Sequence, residues 1–170
     1  MDRVIKVQLR RFFCRGASLA VIAFGILLAG SAAAQDVDQG KRVFSNTAAC
    51  TRCHGWAGNG APEGPGYPTG ADLRNSKLER ADMKEVIQCG RAGSEMPSFA
   101  RSAWSTLKCF GMTAADVGNM KPVPDGAQIG DAQIEALLDY LYAKVVGKPR
   151  ATKSDCEEYF GAAAPRCAAL

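Results

Sequence analysis

The segment Cys50-Thr51-Arg52-Cys53-His54 places two cysteines three positions apart and a histidine directly after the second. This is the attachment pattern of c-type haem. The two thiols of such a pattern add across the two vinyl groups of the porphyrin, so they must lie about one helical turn apart. The histidine then lies beneath the ring, where an imidazole nitrogen binds iron. The sequence therefore predicts one covalently attached haem c, held by Cys50 and Cys53, with His54 as an iron ligand.

Two other uses of a Cys-x-x-Cys pair fit this chain less well. A thioredoxin-like redox site needs a βαβ context, and no alternating strand pattern is found here. A zinc site needs two further ligands at matching spacing, but the next cysteine, Cys89, has no Cys-x-x-Cys partner.

Residues 1–34 have the order of charged, apolar and small residues that is typical of a secretory signal peptide. Five basic residues and one acidic residue lie within residues 1–15, and an apolar run follows from Ala17 to Leu28. This run is short for a membrane span. We expect cleavage near Ala34, export to the periplasm and no membrane anchor on the mature chain.

The basic character of the chain belongs mostly to this leader. The whole sequence has 21 basic and 17 acidic residues; five basic and one acidic lie in the leader, so 16 of each remain. A nearly neutral mature chain gives no basis for nucleic-acid binding.

Four further cysteines follow the haem motif: Cys89, Cys109, Cys156 and Cys167. An even number of cysteines in an oxidising compartment favours two disulfides. Three pairings are possible. We favour Cys89–Cys109 and Cys156–Cys167, because each closes a short loop.

The apolar periodicity is helical, without an internal repeat. Three main helices are predicted, from about residue 36 to the haem motif, from a capping box at 76–79 to residue 89, and from 131 to 146. Shorter helices are predicted over 99–107, from 113 and over 152–160. The Gly- and Pro-rich residues 55–72 are expected to wrap around the haem edge.

The second iron ligand is predicted by asking which other side chains of this sequence can bind haem iron. His54 is the single histidine, so a methionine thioether is the natural partner. Met96 lies in the stiff loop Gly93-Ser94-Glu95-Met96-Pro97 and is the favoured ligand, whereas Met83 lies on an apolar helical stripe. Met112, Met120 and an open sixth position are the alternatives.

With this Cys-x-x-Cys-His motif and the later Met96-Pro97, the chain resembles a class I c-type cytochrome over about residues 37–146. Members of this family are small periplasmic proteins with one haem, whose iron is bound by a histidine and a methionine. The resemblance implies an all-α cytochrome c fold, with three main helices and short helices wrapped around one covalent haem. It implies a cytochrome domain at 35–147, followed by a disulfide-closed C-terminal extension at 148–170.

The resemblance also assigns residues away from the motif. Gly40 and Phe44 would meet Leu137 and Tyr140 where the first and last helices cross. Pro65 matches the family's proline whose carbonyl accepts the other imidazole N–H, a bond that orients the ring and strengthens the ligand. An ordinary turn proline is the alternative.

The function that the resemblance implies is electron transfer rather than catalysis: single electrons pass between a dehydrogenase or membrane complex and a terminal acceptor. The expected partners are a donor dehydrogenase, such as a quinoprotein, and an acceptor oxidase or another cytochrome; the protein is expected to be a monomer. Two alternatives stay open. One is a cytochrome subunit fixed in a dehydrogenase or oxidase complex, and the other is a haem enzyme or gas sensor with a labile sixth ligand.

Overall fold

The computed structural model describes residues 36–125 and 127–170, so the predicted signal peptide and its cleavage near Ala34 lie outside the described residues. Within the described ranges the chain is helical and forms isolated bridges but no strand, which confirms the all-α class. None of the helices described there is both long and apolar enough to cross a membrane.

The helices follow the predicted order along the chain. The first, α1, covers residues 36–42 and continues as a π-helical turn at Val43–Thr47. The other α-helices are α2 (Thr51–His54), α3 (Arg80–Cys89), α4 (Ala114–Val117), α5 (Asp131–Lys144) and α6 (Lys153–Phe160). Two 3-10 turns lie at Gly118–Met120 and Pro165–Ala169.

The start of α3 differs from the prediction. The helix begins at Arg80, and Glu79 precedes it with an extended backbone and no side-chain cap. The Ser76 hydroxyl instead accepts the N–H of Leu78 at 3.3 Å, which makes a local turn. A serine that is used in such a turn competes with helix formation, so the capping box predicted at 76–79 is wrong.

The helix predicted over 99–107 is also wrong. Trp104 has a φ of +60°, a left-handed conformation that interrupts a right-handed helix. Its indole N–H donates to the Cys89 carbonyl at 2.7 Å in a buried position, and this bond stabilises the irregular backbone. The short helices at α4 and α6 are present, each started by a threonine whose N–H donates to the aspartate three residues later.

The main core lies where α1 and its π-helical turn cross α5. Phe44 is fully buried, with its ring centroid 5.5 Å from that of Tyr140. Gly40 contacts α5 so closely that a Cβ built on it would overlap the carbonyl oxygen of Ala136 and lie 2.6 Å from the Tyr140 Cβ. The predicted crossing is therefore present between α1 and α5, with Ala136 and Tyr140 facing the glycine.

A second, smaller cluster packs around the Cys89–Cys109 disulfide and includes Trp104 and Val117. The Cα atoms of this disulfide are 5.7 Å apart, and those of Cys156–Cys167 are 5.6 Å apart. The first disulfide closes the loop that contains Met96, and the second closes α6 against the last 3-10 turn.

Gly40→Ala tests the helix crossing. Alanine favours an isolated helix over glycine by about 1 kcal/mol. Overpacking against a backbone carbonyl, which cannot rotate away, costs about 3 kcal/mol. We therefore expect the free energy of unfolding to fall by about 2 kcal/mol in a urea titration.

Gly130→Ala is the matched control, because a Cβ at Gly130 has no heavy atom within 4 Å. Gly130 is the N-cap residue of α5, where alanine is less favourable than glycine, so the unfolding free energy should fall by no more than about 1 kcal/mol. Equal stability of Gly40→Ala and the parent protein would contradict the crossing.

Candidate functional site

The haem motif lies on one turn of helix. The Cys53 and His54 N–H groups both donate to the Cys50 carbonyl, at 3.2 and 2.9 Å. Ala49, just before this turn, has a φ of +48°, a left-handed backbone that separates α2 from the π-helical turn. Strained residues and π-helical turns occur often at functional sites.

The two thiols of this turn are not paired with each other. Among the described cysteines, Cys50 and Cys53 are the two outside a disulfide, and both are half-buried. Burial raises the pKa of Cys50 to about 12, and the carboxylate of Asp125 contributes to the rise. Burial also raises the pKa of Cys53, and the carboxylate of Glu95 adds to this. Both groups are therefore neutral thiols at pH 7, unlike the thiolates of reactive redox cysteines.

His54 is held by a backbone carbonyl. Its Nδ1 lies 2.8 Å from the carbonyl oxygen of Ala71. A carbonyl can only accept a hydrogen bond, so Nδ1 carries the hydrogen and the neutral ring keeps a lone pair on Nε2. Burial lowers the pKa of His54, and the hydrogen bond with the Ala71 carbonyl partly offsets this effect. The lowered pKa favours the neutral ring, which is the form that binds a metal.

Pro65 is not the acceptor for this ring, and the prediction that it would be is wrong. Pro65 is exposed, whereas the Gly70 N–H donates to the Cys53 carbonyl at 2.9 Å and brings the next carbonyl, that of Ala71, to Nδ1. Glycine is needed for this approach, because a Cβ on Gly70 would lie 2.7 Å from Nδ1. No sequence signal marks this contact, because a glycine precedes Pro65 as well as Ala71.

The Met96 loop is held close to the end of α3. A Cβ on Gly90 would lie 2.6 Å from the Met96 carbonyl oxygen, so the loop packs directly on the backbone after the helix. The Met96 N–H donates to the Ser94 hydroxyl at 3.3 Å, and the Ser98 N–H to the Val123 carbonyl at 3.1 Å. Met96 itself is half-buried.

Charged residues in and near this loop act on the thiols of the haem motif. Glu95, the residue before Met96, acts electrostatically on the Cys53 thiol. The Asp125 N–H donates to the Ser98 carbonyl at 2.9 Å, and the Asp125 carboxylate acts on the Cys50 thiol. The carboxylates of two residues in or near the Met96 loop thus act electrostatically on the two cysteines of the motif.

The other methionines of the described chain have different surroundings. Met83 is buried in the main core, and Met112 packs on the cluster around Trp104. Met120 is 55% exposed, with its carbonyl accepting the Gly93 N–H at 2.9 Å. The sequence neighbour of Met96, Glu95, acts electrostatically on Cys53 of the motif.

The C-terminal extension packs on the residues that flank the motif. The Trp56 ring centroid lies 5.6 Å from that of Tyr159 and 5.5 Å from that of Phe160. The Tyr159 hydroxyl is hydrogen-bonded to the Ser45 hydroxyl, and Lys41 donates to the Tyr159 carbonyl at 2.8 Å. No sequence pattern predicted these contacts.

The chain was compared with known protein families. Residues 35–108 match the family model described as "Cytochrome C oxidase, cbb3-type, subunit III". Neither curated proteins nor solved structures contain a significant match to the chain.

The residues at the motif fit a covalently attached haem c, the cofactor that a c-type cytochrome domain implies. Two neutral thiols lie on one helical turn, and the adjacent imidazole has its Nδ1 engaged and its Nε2 lone pair available. Within residues 36–125 and 127–170, no three His, Cys, Asp or Glu side chains are grouped to hold a metal ion.

Gly70→Ala tests the Ala71 contact. The added Cβ would lie 2.7 Å from Nδ1 and 2.8 Å from the Cys53 carbonyl oxygen, so the segment must move away from the ring. A longer hydrogen bond makes the imidazole a weaker electron donor, so the reduction potential of the holoprotein should rise. Spectroelectrochemical titration measures this shift.

Gly130→Ala should leave the potential at the parental value, since its Cβ meets nothing within 4 Å. An unshifted potential in folded Gly70→Ala holoprotein would rule out the role of the Ala71 carbonyl.

Proposed function

Because residues 35–108 of this chain are a class I c-type cytochrome domain with covalently attached haem c, we propose that the protein is a periplasmic electron carrier. It would take single electrons from a dehydrogenase or membrane complex and pass them to a terminal acceptor. The observation that supports this most is the hydrogen bond between His54 and Ala71, because it fixes the ring as a one-sided ligand through Nε2. Export to the periplasm and the signal peptide over residues 1–34 are part of the proposal.

Each residue of the site has a separate part in this function. Cys50 and Cys53 would form the two thioether links, and His54 would bind iron through Nε2. When bound, haem supplies the one-electron couple that protein side chains lack. Met96 on the other side would leave no coordination position open to a substrate, and a thioether ligand raises the reduction potential. These properties suit a carrier rather than an enzyme.

The Met96 loop is restrained in a way that suits a permanent ligand. The Cys89–Cys109 disulfide closes the chain around it, and Gly90 lets the backbone of the loop approach the end of α3. A ligand from a restrained loop loses little entropy when it binds, so it stays bound in both oxidation states.

Met96→Ala tests this assignment. In the parent holoprotein, we expect low-spin optical spectra in both oxidation states and no rapid binding of carbon monoxide to the reduced form. Met96→Ala should open the sixth position, so that the reduced variant binds carbon monoxide stoichiometrically and the potential falls.

Met120→Ala is the control, because Met120 is another loop methionine and is largely exposed. It should behave as the parent does. Rapid carbon monoxide binding by the parent protein would favour a haem enzyme or gas sensor. A spectrum that changes in Met120→Ala but not in Met96→Ala would move the ligand to Met120.

The second candidate function is that of a fixed cytochrome subunit in an oxidase or dehydrogenase complex. The observation that favours it is the matching family model, whose description names a subunit of a cytochrome c oxidase. The same ligand set serves both functions, so spectra do not separate them.

Purification of the exported protein under mild conditions separates the two candidates. A carrier should elute as a monomer and be reduced by a donor dehydrogenase with its substrate, such as a quinoprotein, before passing electrons to an oxidase or another cytochrome. Recovery with a partner protein at a fixed ratio would instead favour the subunit.

A further inference from the structure

The C-terminal extension is connected to the backbone segment that supports His54, and Arg74 makes the connection. The Arg74 Nε donates to the Pro149 carbonyl at 2.7 Å, and its Nη1 donates to the Ala57 carbonyl at 2.8 Å. The Arg74 carbonyl accepts the Gly147 N–H at 2.9 Å. One half-buried residue therefore joins three stretches of chain: the turn after the haem motif, residues 70–74, and the start of the extension.

Residues 70–74 lie along the chain that follows the motif. At one end, the Gly70 N–H donates to the Cys53 carbonyl at 2.9 Å. At the other end, the Leu73 N–H donates to the Gly58 carbonyl at 2.8 Å, next to the Ala57 carbonyl that Arg74 binds. Ala71 lies between these two attachments, and its carbonyl binds the His54 ring.

The bond from His54 to Ala71 depends on these attachments. Ala71 is exposed, so water competes for its carbonyl and for the ring N–H. Exposed hydrogen bonds open easily unless their backbone is held in place. The orientation of the Ala71 carbonyl is thus set by the rigidity of residues 70–74 rather than by burial.

We propose that Arg74 is a positioning residue for His54, through which the C-terminal extension holds the Ala71 carbonyl on the imidazole. Residues 148–170 are then part of the support of the iron ligand and not a separate docking tail. The inference rests on the proposed function, in which His54 binds the iron of an electron carrier.

Arginine is well suited to this positioning role. A guanidinium presents several N–H donors in one plane, so a single arginine binds two carbonyls in different directions. A lysine ammonium has donors on one atom and a flexible stem, and it cannot hold the two carbonyls in the same geometry. The pKa of Asp155 in α6 is lowered by its hydrogen bonds with Thr152 and, to a smaller degree, by the charge of Arg74.

The test compares full-length holoproteins. Arg74→Gln removes the charge and the two-carbonyl contact, and Arg74→Lys keeps the charge alone. Two readouts are needed: the reduction potential, and the rate at which the His54 Nδ1 proton exchanges with deuterium, followed by NMR. We expect Arg74→Gln to raise the potential and to accelerate exchange at least several-fold, with Arg74→Lys between it and the parent.

Two variants control for charge and for stability. Arg150→Gln removes an exposed positive charge from the extension. Tyr142→Phe removes one hydrogen bond, from the Tyr142 hydroxyl to the Leu78 carbonyl at 2.6 Å, and so lowers stability at a different site. Both should keep the parental potential and the parental exchange rate.

The proposal is overturned if Arg74→Gln and Arg74→Lys have the parental potential and exchange rate while only their melting temperature falls. If Arg74→Gln fails to fold, Arg74→Lys decides by the same two readouts. The proposed function has a separate check, since a parent protein without a low-spin haem in both oxidation states refutes electron carriage whatever the Arg74 variants do.

Discussion

The hydrogen bond between the His54 ring and the Ala71 carbonyl is the contact on which the rest of the site depends. It fixes which ring nitrogen carries the hydrogen, and it leaves the other as a metal ligand. The bond exists because Gly70 has no side chain and so brings its backbone against the ring. The same segment holds the chain after the motif through Leu73 and Arg74. Ligand orientation, loop path and extension are therefore coupled through a few backbone carbonyls.

The helical framework explains how so short a motif is held in place. The π-helical turn at Val43–Thr47 and the left-handed Ala49 stop α1 before the motif, and Cys50 starts a new turn. The close crossing of Gly40 with α5 fixes the direction of α1, because a larger side chain would separate the helices. The motif thus begins at a backbone position that the main core determines.

The parts of the structure that depend on local side-chain chemistry were predictable. The haem motif, the all-α class and the threonine that starts α6 follow from residue types at short spacing. The helix crossing of Phe44 with Tyr140 was expected from the family resemblance. Carbonyl contacts were not predictable in the same way. Every residue has a carbonyl, and a glycine precedes both Ala71 and Pro65, so nothing in the sequence distinguishes the two as the acceptor. Long-range contacts outside the family resemblance were missed for a similar reason: the Tyr159 and Ser45 hydroxyls meet across 114 positions, and no local pattern records such a pair.

The proposed site holds one iron between His54 and Met96, and proton NMR of the reduced holoprotein is the sharpest test of this ligand pair. Reduced low-spin iron is diamagnetic, so the ring current of the porphyrin shifts the methyl group of an axial methionine far upfield. The account predicts one such methyl resonance, connected by isotope-edited spectra to the backbone of Met96. Assignment of that resonance to Met112 or Met120, or the absence of any upfield methionine methyl, would contradict it.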